Sequence, residues 1–256
     1  MELNLKGKKA LITGGTHGIG KAIALALVKE ECYVAICARE INRLNDMLQY
    51  ELPQHEDRAI GMQADITLKS DRLYLFRNIM QKWSKLDILI NNVGGGGRWG
   101  NIEPTENEWT LWYDVWLKNT GVTAALTMEF IPGMIEQKWG RVITIASIYG
   151  KEAGGRPWFT SAKSASIALM KELSRWQPYA RANITFNSIC PGYIYIPGTG
   201  WDDDLKKNPN LAENLVAGKF GTPEDVANLV VFLCSEKAKY INGAVITVDG
   251  GESRSF

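Results

Sequence analysis

The sequence predicts one α/β domain built on a parallel sheet of about seven strands. Short apolar runs alternate with longer amphipathic segments along the 256 residues. The runs are apolar at successive positions, as in strands that are buried on both faces. This alternation is typical of βαβ units in a doubly wound sheet with helices on both sides. No linker or repeat interrupts it, so we expect residues 1–256 to form a single domain.

Each element is predicted from its own pattern. Runs rich in β-branched and other apolar residues are predicted as strands: Lys9–Thr13, Tyr33–Ala38, Ala59–Gln63, Leu86–Asn91, Arg141–Ala146, Ile184–Ile189 and Ala244–Val248. Amphipathic segments are predicted as helices: Ile19–Lys29, Ile41–Leu52, Lys69–Trp83, Glu106–Lys118, Asn119–Gln137, Phe159–Trp176 and Pro223–Cys234. The stretch 192–220 is rich in Gly, Pro, Asp and Asn, so we expect an irregular lid over a substrate.

Composition excludes several classes of protein. With 29 Lys and Arg against 28 Asp and Glu, the charge gives no support to a nucleic-acid or membrane-surface role. No apolar run approaches the ~18 residues of a membrane span, and Met1 to Lys9 does not resemble a secretory signal. Two histidines make a histidine-based metal site unexpected, and none is predicted. The four cysteines form no C-x-x-C pair, which favours free thiols in the cytoplasm.

A glycine-rich loop joins the first strand to the first helix. It reads Thr13-Gly14-Gly15-Thr16-His17-Gly18-Ile19-Gly20. Glycines let the backbone approach a pyrophosphate, and the helix N-terminus offers that anion free N–H groups. Residues 15–21 also match G-x-x-x-x-G-K, but Ala22 stands where a P-loop needs Ser or Thr, which argues against an NTPase. The alternative is that the glycines serve only close packing of helix on strand.

A second group of residues lies farther along the chain. Ser147 follows a predicted strand, and Phe159 and Lys163 are four residues apart on a predicted helix, on one face and one turn apart. A phenol at position 159 would stand beside the Lys163 ammonium. The phenyl ring of Phe159 keeps that shape but has no proton to give or take.

Together these motifs identify a resemblance to the short-chain dehydrogenase/reductase family over nearly the whole chain. The glycine loop matches T-G-x-x-x-G-x-G, and Asn91-Asn92-Val93-Gly94 resembles N-N-A-G. Ser147 and Lys163 match the catalytic serine and the lysine of Y-x-x-x-K. Further matches are Asn119, Pro191-Gly192, the run 221–227 and the run 248–251. The departures are Phe159 in place of tyrosine and Ile196 where a threonine is frequent, with Thr199 as a candidate substitute.

The resemblance implies a Rossmann-like fold, hydride transfer and a homotetramer. In the family a tyrosine exchanges a proton with the substrate oxygen, and the lysine lowers the tyrosine pKa and holds the cofactor ribose. The implied catalytic positions are Asn119, Ser147, Phe159 and Lys163. The implied cofactor contacts are Gly14, Thr16, His17, Gly18, Ile19, Gly20, Arg39, Asp65, Ile66, Asn92, Gly94, Lys163, Pro191, Gly192 and Ile194.

The end of the second strand predicts the choice of cofactor. A carboxylate there selects NAD, but this chain has Ala38 followed by Arg39. Arg39 can pair with a 2′-phosphate, and His17 could assist, so we predict NADP, with NAD as second choice. The alternative is that Arg39 is only an exposed residue at a helix entry.

Arginines and tryptophans around the predicted pocket indicate the kind of substrate. The candidates are Arg98, Trp99, Ser147, Arg156, Trp158 and Trp201. Aromatic rings suit the apolar faces of sugars, and arginines suit carboxylate or phosphate, so a sugar-like or anionic small molecule is expected. The alternative is that the tryptophans fill the core and subunit interfaces.

The sequence therefore predicts an NADP(H)-preferring oxidoreductase that interconverts an alcohol and a carbonyl. Phe159 has two competing explanations. Either it replaces a catalytic tyrosine and inactivates the enzyme, or the chain is naturally a non-redox member that binds cofactor in a regulatory or structural role. A sugar dehydratase that needs no tyrosine is a third interpretation.

Overall fold

The computed structural model describes residues 2–55, 57–96 and 109–255 and contains one sheet of seven parallel strands. The strand order is β3-β2-β1-β4-β5-β6-β7. The strands are β1 Lys9–Thr13, β2 Tyr33–Ala38, β3 Ala59–Gln63, β4 Ile88–Asn91, β5 Gly140–Ile145, β6 Ile184–Pro191 and β7 Val245–Val248. All seven predicted strands are confirmed, with ends that move by two residues at most.

The helices of the described residues flank this sheet. They are α1 Gly18–Lys29, α2 Ile41–Asp46, α3 Lys69–Trp83, α4 Trp109–Trp116, α5 Val122–Glu136, α6 Pro157–Arg175, α7 Gln177–Arg181, α8 Gly200–Lys207 and α9 Pro223–Cys234. Helix α6 begins two residues before the predicted Phe159 because Pro157 fits the first turn of a helix. The predicted start at Glu106 lies outside the described residues.

Alternate residues of the strands enter two separate cores. On one face Ile12 and Ile143 pack in the core that contains α1 and α9. On the other face Leu11 and Val142 pack in the core that contains α5 and α6 residues such as Phe130. Because successive side chains of a strand point to opposite faces, both faces are covered. The predicted doubly wound α/β fold is confirmed.

One predicted helix changes its type along its length, and one predicted helix boundary was wrong. The helix predicted over 41–52 is α2 followed by a π-helical turn, Met47–Glu51. The two helices predicted to meet between Lys118 and Asn119 are joined by another π-helical turn, Leu117–Gly121. Such a turn inserts a residue into the helical repeat and rotates the side chains after it, which periodicity alone does not reveal. The second turn buries Asn119 to 2 % exposure.

The stretch 192–220 is not irregular throughout, which corrects the sequence prediction. It contains α8, Gly200–Lys207. Asp202 and Asp203 lie in the first turn of this helix and Lys206 and Lys207 in its last turn, so the charges complement the helix dipole. Asp202 also accepts a hydrogen bond from the backbone N–H of Gly198 at 2.7 Å.

A buried arginine stabilises the end of the sheet that lies opposite the glycine loop. Arg141 is 0 % exposed and contacts Glu236 at 3.1 Å. Its guanidinium also donates to the carbonyls of Gly140 and Asn183 at 2.8 Å and lies 4.4 Å from the centre of the Trp139 ring. Glu236 also accepts from the indole N–H of Trp139. This cluster ties the start of β5 to the turn after α9.

Removal of the Glu236 carboxylate should destabilise the protein. We expect Glu236→Ala to lower the free energy of unfolding by about 1–3 kcal/mol, because a buried cation and an indole N–H lose their acceptor. Urea denaturation measures the change. The exposed Lys237 lies on the same turn, and Lys237→Ala should shift the free energy by less than about 0.5 kcal/mol. Equal effects of the two changes would contradict the assigned role of Glu236.

Candidate active site

The glycine loop closes tightly against the end of β4. A Cβ atom at Gly20 would lie 2.3 Å from the carbonyl oxygen of Gly14 and 2.5 Å from Asn92 Nδ2, so only glycine fits there. Gly14 and Gly18 have φ values of 65° and 53°, which favour glycine. Helix α1 begins at Gly18 without a side-chain cap. Its first N–H groups are therefore suited to an anion.

Thr13 and Asn92 hold the ends of β1 and β4 together. The Thr13 hydroxyl accepts from the backbone N–H groups of Asn92 at 2.9 Å and Val93 at 3.1 Å. The Asn92 amide donates to the carbonyls of Thr13 at 2.9 Å and Gly14 at 3.2 Å. These bonds explain why the two motifs, far apart in sequence, form one rim.

A cleft of about 470 Å³ runs along this rim, at the carboxyl ends of β1 to β4. The predicted cofactor contacts that line it are Gly14, Thr16, His17, Arg39, Asp65, Ile66, Asn92 and Gly94. Gly18, Ile19, Gly20, Lys163, Pro191, Gly192 and Ile194 are not among its lining residues. Ile194 instead lines a second cavity of about 500 Å³. For all of these residues a cofactor role stays a prediction.

The cleft includes charged residues that sequence reasoning missed. Glu40 and Arg43 form an ion pair at 2.9 Å at the start of α2, and Lys118 also lines the cleft, near Asp65. The signal for Arg43 was its place in the short helix that follows Arg39. Partial burial opposes ionisation of Asp65, yet hydrogen bonds from Thr67 outweigh it and hold the Asp65 pKa below its ordinary value.

Asn119 fastens the loop that follows β4. Its amide donates to the carbonyls of Val115 at 2.7 Å and Gly95 at 3.1 Å. Its Oδ1 accepts from the backbone N–H of Gly95 at 3.1 Å. These two reciprocal hydrogen bonds with Gly95 hold the π-helical turn against one wall of the cleft.

Lys163 is buried between this wall and the sheet. The side chain is 5 % exposed, and Nζ donates to the carbonyl of Ile145 at 2.7 Å. Burial lowers the Lys163 pKa to about 8, while the nearby Cys190 opposes the shift. Nζ lies 5.7 Å from the centre of the Phe159 ring. The structure therefore brings Phe159 beside Lys163, as their four-residue spacing predicted, and it brings Asn119 close to Lys163 at Gly94.

Phe159 and Trp158 pack beneath the loop after β4. A Cβ atom at Gly96 would lie 3.4 Å from the Phe159 side chain, and the Trp158 indole donates to the Gly96 carbonyl at 3.2 Å. Trp158 is 4 % exposed and meets Trp112 edge to face at 6.1 Å. In this position Trp158 supports the loop, and a direct substrate contact stays a prediction.

A row of aromatic rings begins next to Ser147 and includes Trp201. The Ser147 hydroxyl accepts from the backbone N–H of Tyr149 at 3.2 Å, and the Tyr149 and Tyr193 hydroxyls are 2.7 Å apart. The Tyr193 ring contacts that of Trp201 at 5.4 Å, and Trp201 contacts Phe220 at 5.1 Å.

The other predicted substrate residues fall in two places. Arg156 is half-buried at the N-cap of α6, seven residues after Tyr149 in the sequence. Arg98 and Trp99 lie outside the described residues. Their roles stay predictions.

Comparisons with known proteins agree with this geometry. A family profile described as Enoyl-(Acyl carrier protein) reductase matches residues 14–253. A 3-oxoacyl-[acyl-carrier-protein] reductase of Aquifex aeolicus is 32 % identical over 98 % of this chain and 99 % of its own length. A cyclohexanol dehydrogenase of a Rhodococcus species is 32 % identical over 97 % of both chains. The structure of L-sorbose reductase from Gluconobacter frateurii with NADPH and L-sorbose matches with a TM-score of 0.87, 27 % identity and full coverage of both chains.

The fold and the site define a dinucleotide-binding oxidoreductase of the α/β class. The chain belongs to the short-chain dehydrogenase/reductase family. The sequence prediction of this family, and of an NAD(P)-dependent enzyme, is confirmed. No helix among the described residues is long and apolar enough to cross a membrane.

Proposed function

We propose that this protein is an NADP(H)-dependent reductase or dehydrogenase of a small carbonyl or alcohol whose turnover is impaired by Phe159. The observation that supports the proposal is that the cofactor cleft and the candidate catalytic residues are adjacent. The cleft that fits the cofactor ends at Gly94 and Gly95, directly against Asn119 and Lys163. The one departure in the catalytic set is the phenyl ring 5.7 Å from Lys163 Nζ.

The cleft fits a nicotinamide dinucleotide with a 2′-phosphate. At Gly20 a Cβ atom would strike the loop backbone, and the first N–H groups of α1 lie at the same loop as Gly14 and His17, so a pyrophosphate has room and donors. Exposed Arg39 at the end of β2 supports a phosphate on the adenosine ribose. When bound, the cofactor supplies or accepts the hydride.

The residues around the cleft have separate tasks. Lys163 donates to the cofactor ribose, Ser147 holds the substrate oxygen, and Asn119 fixes the loop after β4. Phe159 can position a substrate but cannot exchange a proton with it. Turnover is therefore slow rather than absent, because binding and orientation survive the loss of a general acid.

A second candidate function is a natural member that transfers no hydride, as a cofactor-binding regulatory protein or a sugar dehydratase. The packing of Phe159 favours it. The ring lies against Gly96, whose carbonyl is held by Trp158, so the site is well formed around phenylalanine.

The substrate is proposed to be sugar-like or anionic. The row of Tyr149, Tyr193, Trp201 and Phe220 offers ring faces and two hydroxyls. Arg156 directly follows Gly155, which lies against Tyr149. The similar structure of L-sorbose reductase contains L-sorbose. The stretch 192–220, which includes Trp201, is the proposed lid.

We further propose that the protein forms a homotetramer and is located in the cytoplasm. Trp109, Tyr113 and Trp116 of α4 and Met128 of α5 are exposed, and large exposed apolar side chains on adjacent helices favour a subunit interface. All four cysteines are free and buried, as in a reducing compartment.

Two measurements test the function. NADPH fluorescence titration of the unaltered chain should show saturable binding. Phe159→Tyr, saturated with NADPH, should then reduce at least one carbonyl of a panel that contains L-sorbose, sugar acids, sugar phosphates, nucleotide sugars and cyclohexanone. Failure to bind NADPH rejects the proposal. Binding without hydride transfer to any of these compounds favours the non-redox alternative, and turnover of cyclohexanone alone rejects the sugar-like substrate.

A further inference from the structure

A short segment of the stretch 192–220 lies against the glycine loop. Ile196 is half-buried and packs, like Ile19, against the core that contains α1 and α9. Its Cδ1, Cγ2 and Cγ1 atoms lie 2.8, 3.2 and 3.3 Å from the point where a Cβ atom of Gly18 would stand. The Ile196 side chain therefore rests directly on the first residue of α1.

Gly18 is the residue at which the glycine loop becomes a helix. The first N–H groups of a helix have no acceptor within it, and an anion such as a pyrophosphate is the ligand that suits them. The Ile196 side chain consists of carbon atoms alone. At this helix end it offers the N–H groups no acceptor and reduces the space for an anion.

The lining of the 470 Å³ cleft stops one residue before this contact. His17 lines the cleft, but Gly18 and Ile19, which follow it directly, do not. His17 also lines a further cavity of about 550 Å³, together with Gly198 and Thr199. The segment 195–199 thus approaches the glycine loop at His17 as well as at Gly18.

Side-chain hydrogen bonds hold the segment 195–199 in this position. The Thr199 hydroxyl donates to the carbonyl of Ile196 at 2.6 Å. Asp202, in the first turn of α8, accepts from the backbone N–H of Gly198 at 2.7 Å and from the Tyr195 hydroxyl at 2.8 Å. These bonds join the segment to itself and to α8 rather than to a strand. Their loss would release the segment without breaking a strand pair.

We propose that Ile196 is a gate on the cofactor site: the dinucleotide binds only after the segment 195–199 has lifted from Gly18. This inference rests on the proposed function. With the segment closed, the adenosine end of the cleft, which Arg39 and Asp65 line, is still open. A ligand that fills only this end needs no opening, whereas NADPH does. The apparent affinity for NADPH is then reduced by the fraction of molecules that are open.

The first test measures binding at equilibrium. Isothermal titration calorimetry with NADPH and with adenosine 2′-phosphate compares the unaltered chain with Ile196→Ala and Ile196→Val. Ile196→Ala removes all three atoms that lie on Gly18 and should tighten NADPH binding about tenfold, as for an open state populated to about 10 %. Ile196→Val removes only Cδ1, the nearest atom, and should tighten it less. Adenosine 2′-phosphate should bind all three proteins equally.

The second test measures the rate of binding by stopped-flow NADPH fluorescence. For the unaltered chain the observed rate should reach a plateau as the NADPH concentration rises, because opening of the segment limits it. For Ile196→Ala the rate should rise in proportion over the same range. Tyr195→Phe removes the hydroxyl that donates to Asp202 and should raise the plateau with Ile196 still in place.

The matched control is Ile241→Ala. Ile241 is half-buried against the same core as Ile196 and does not line the cleft. Its truncation should change neither the affinity for NADPH nor the plateau.

Four results would overturn the inference while the proposed function stands. In the first, Ile196→Ala weakens NADPH binding or leaves it unchanged. In the second, Ile196→Ala tightens adenosine 2′-phosphate as much as NADPH, which would assign the effect to the whole cleft. In the third, the observed rate of the unaltered chain shows no plateau. In the fourth, Ile241→Ala has the same effects as Ile196→Ala. Absence of NADPH binding by the unaltered chain means that the proposed function has failed, and the inference fails with it.

Discussion

Phe159→Tyr should raise the rate of carbonyl reduction by a factor of about 10² to 10⁴. A positioned general acid is worth this much, roughly 2.7–5.4 kcal/mol of activation free energy. The helix already presents position 159 one turn from Lys163, with Nζ 5.7 Å from the ring centre. Steady-state loss of NADPH absorbance, at saturating cofactor, measures the ratio.

The pH dependence of the restored enzyme provides a further check. The Lys163 ammonium and the oxidised nicotinamide favour phenolate, so the pKa of the phenol introduced by Phe159→Tyr should lie below its reference value near 10. Oxidation requires phenolate and should therefore accelerate through mildly alkaline pH. Lys163→Met in the restored enzyme should remove most of the gain. Phe159→Thr is the matched control, since its hydroxyl is too short to replace the phenol, and a gain equal to that of tyrosine would contradict the role of the phenol.

The fold and the proximity of Phe159 to Lys163 were predictable because they depend on local pattern and order along the chain. The residues 13–20 indicated a strand, a tight turn and a helix N-terminus, and the structure has all three. Four-residue spacing placed Phe159 beside Lys163. Asn92 was predicted as a cofactor contact, but its bonds to Thr13 and Gly14 arise only when β4 pairs with β1.

The remaining features depend on tertiary contacts that spacing does not encode. The π-helical turn at 117–121 exists where Asn119 pairs with Gly95, a residue on another segment. Trp158, predicted at the pocket, turns inward because its indole finds the Gly96 carbonyl. The low pKa of Lys163 follows from burial, since no neighbouring carboxylate of the described residues accompanies it.

Arg39→Ala should weaken NADPH binding by about 10- to 150-fold and leave NADH binding nearly unchanged. A charge-assisted bond from an arginine to a phosphate contributes roughly 1.5–3 kcal/mol, and NADH lacks the 2′-phosphate. Arg39 is exposed at the end of β2 and lines the cleft, and its backbone carbonyl is held by the Gln63 amide at 3.0 Å. The change should therefore remove the charge without disturbing the loop. Fluorescence titration with each cofactor measures both dissociation constants.

The neighbouring pair of Glu40 and Arg43 sharpens this prediction. Arg43 is engaged by Glu40 at 2.9 Å, so Arg39 is expected to supply most of the discrimination. The control is Arg77→Ala, which removes an exposed arginine of α3 that does not line the cleft and should change neither dissociation constant. Equal affinities for NADPH and NADH in the unaltered chain would reject the assignment. If Arg39→Ala keeps the preference for NADPH, the discrimination comes from Arg43 or His17, both of which line the same cleft.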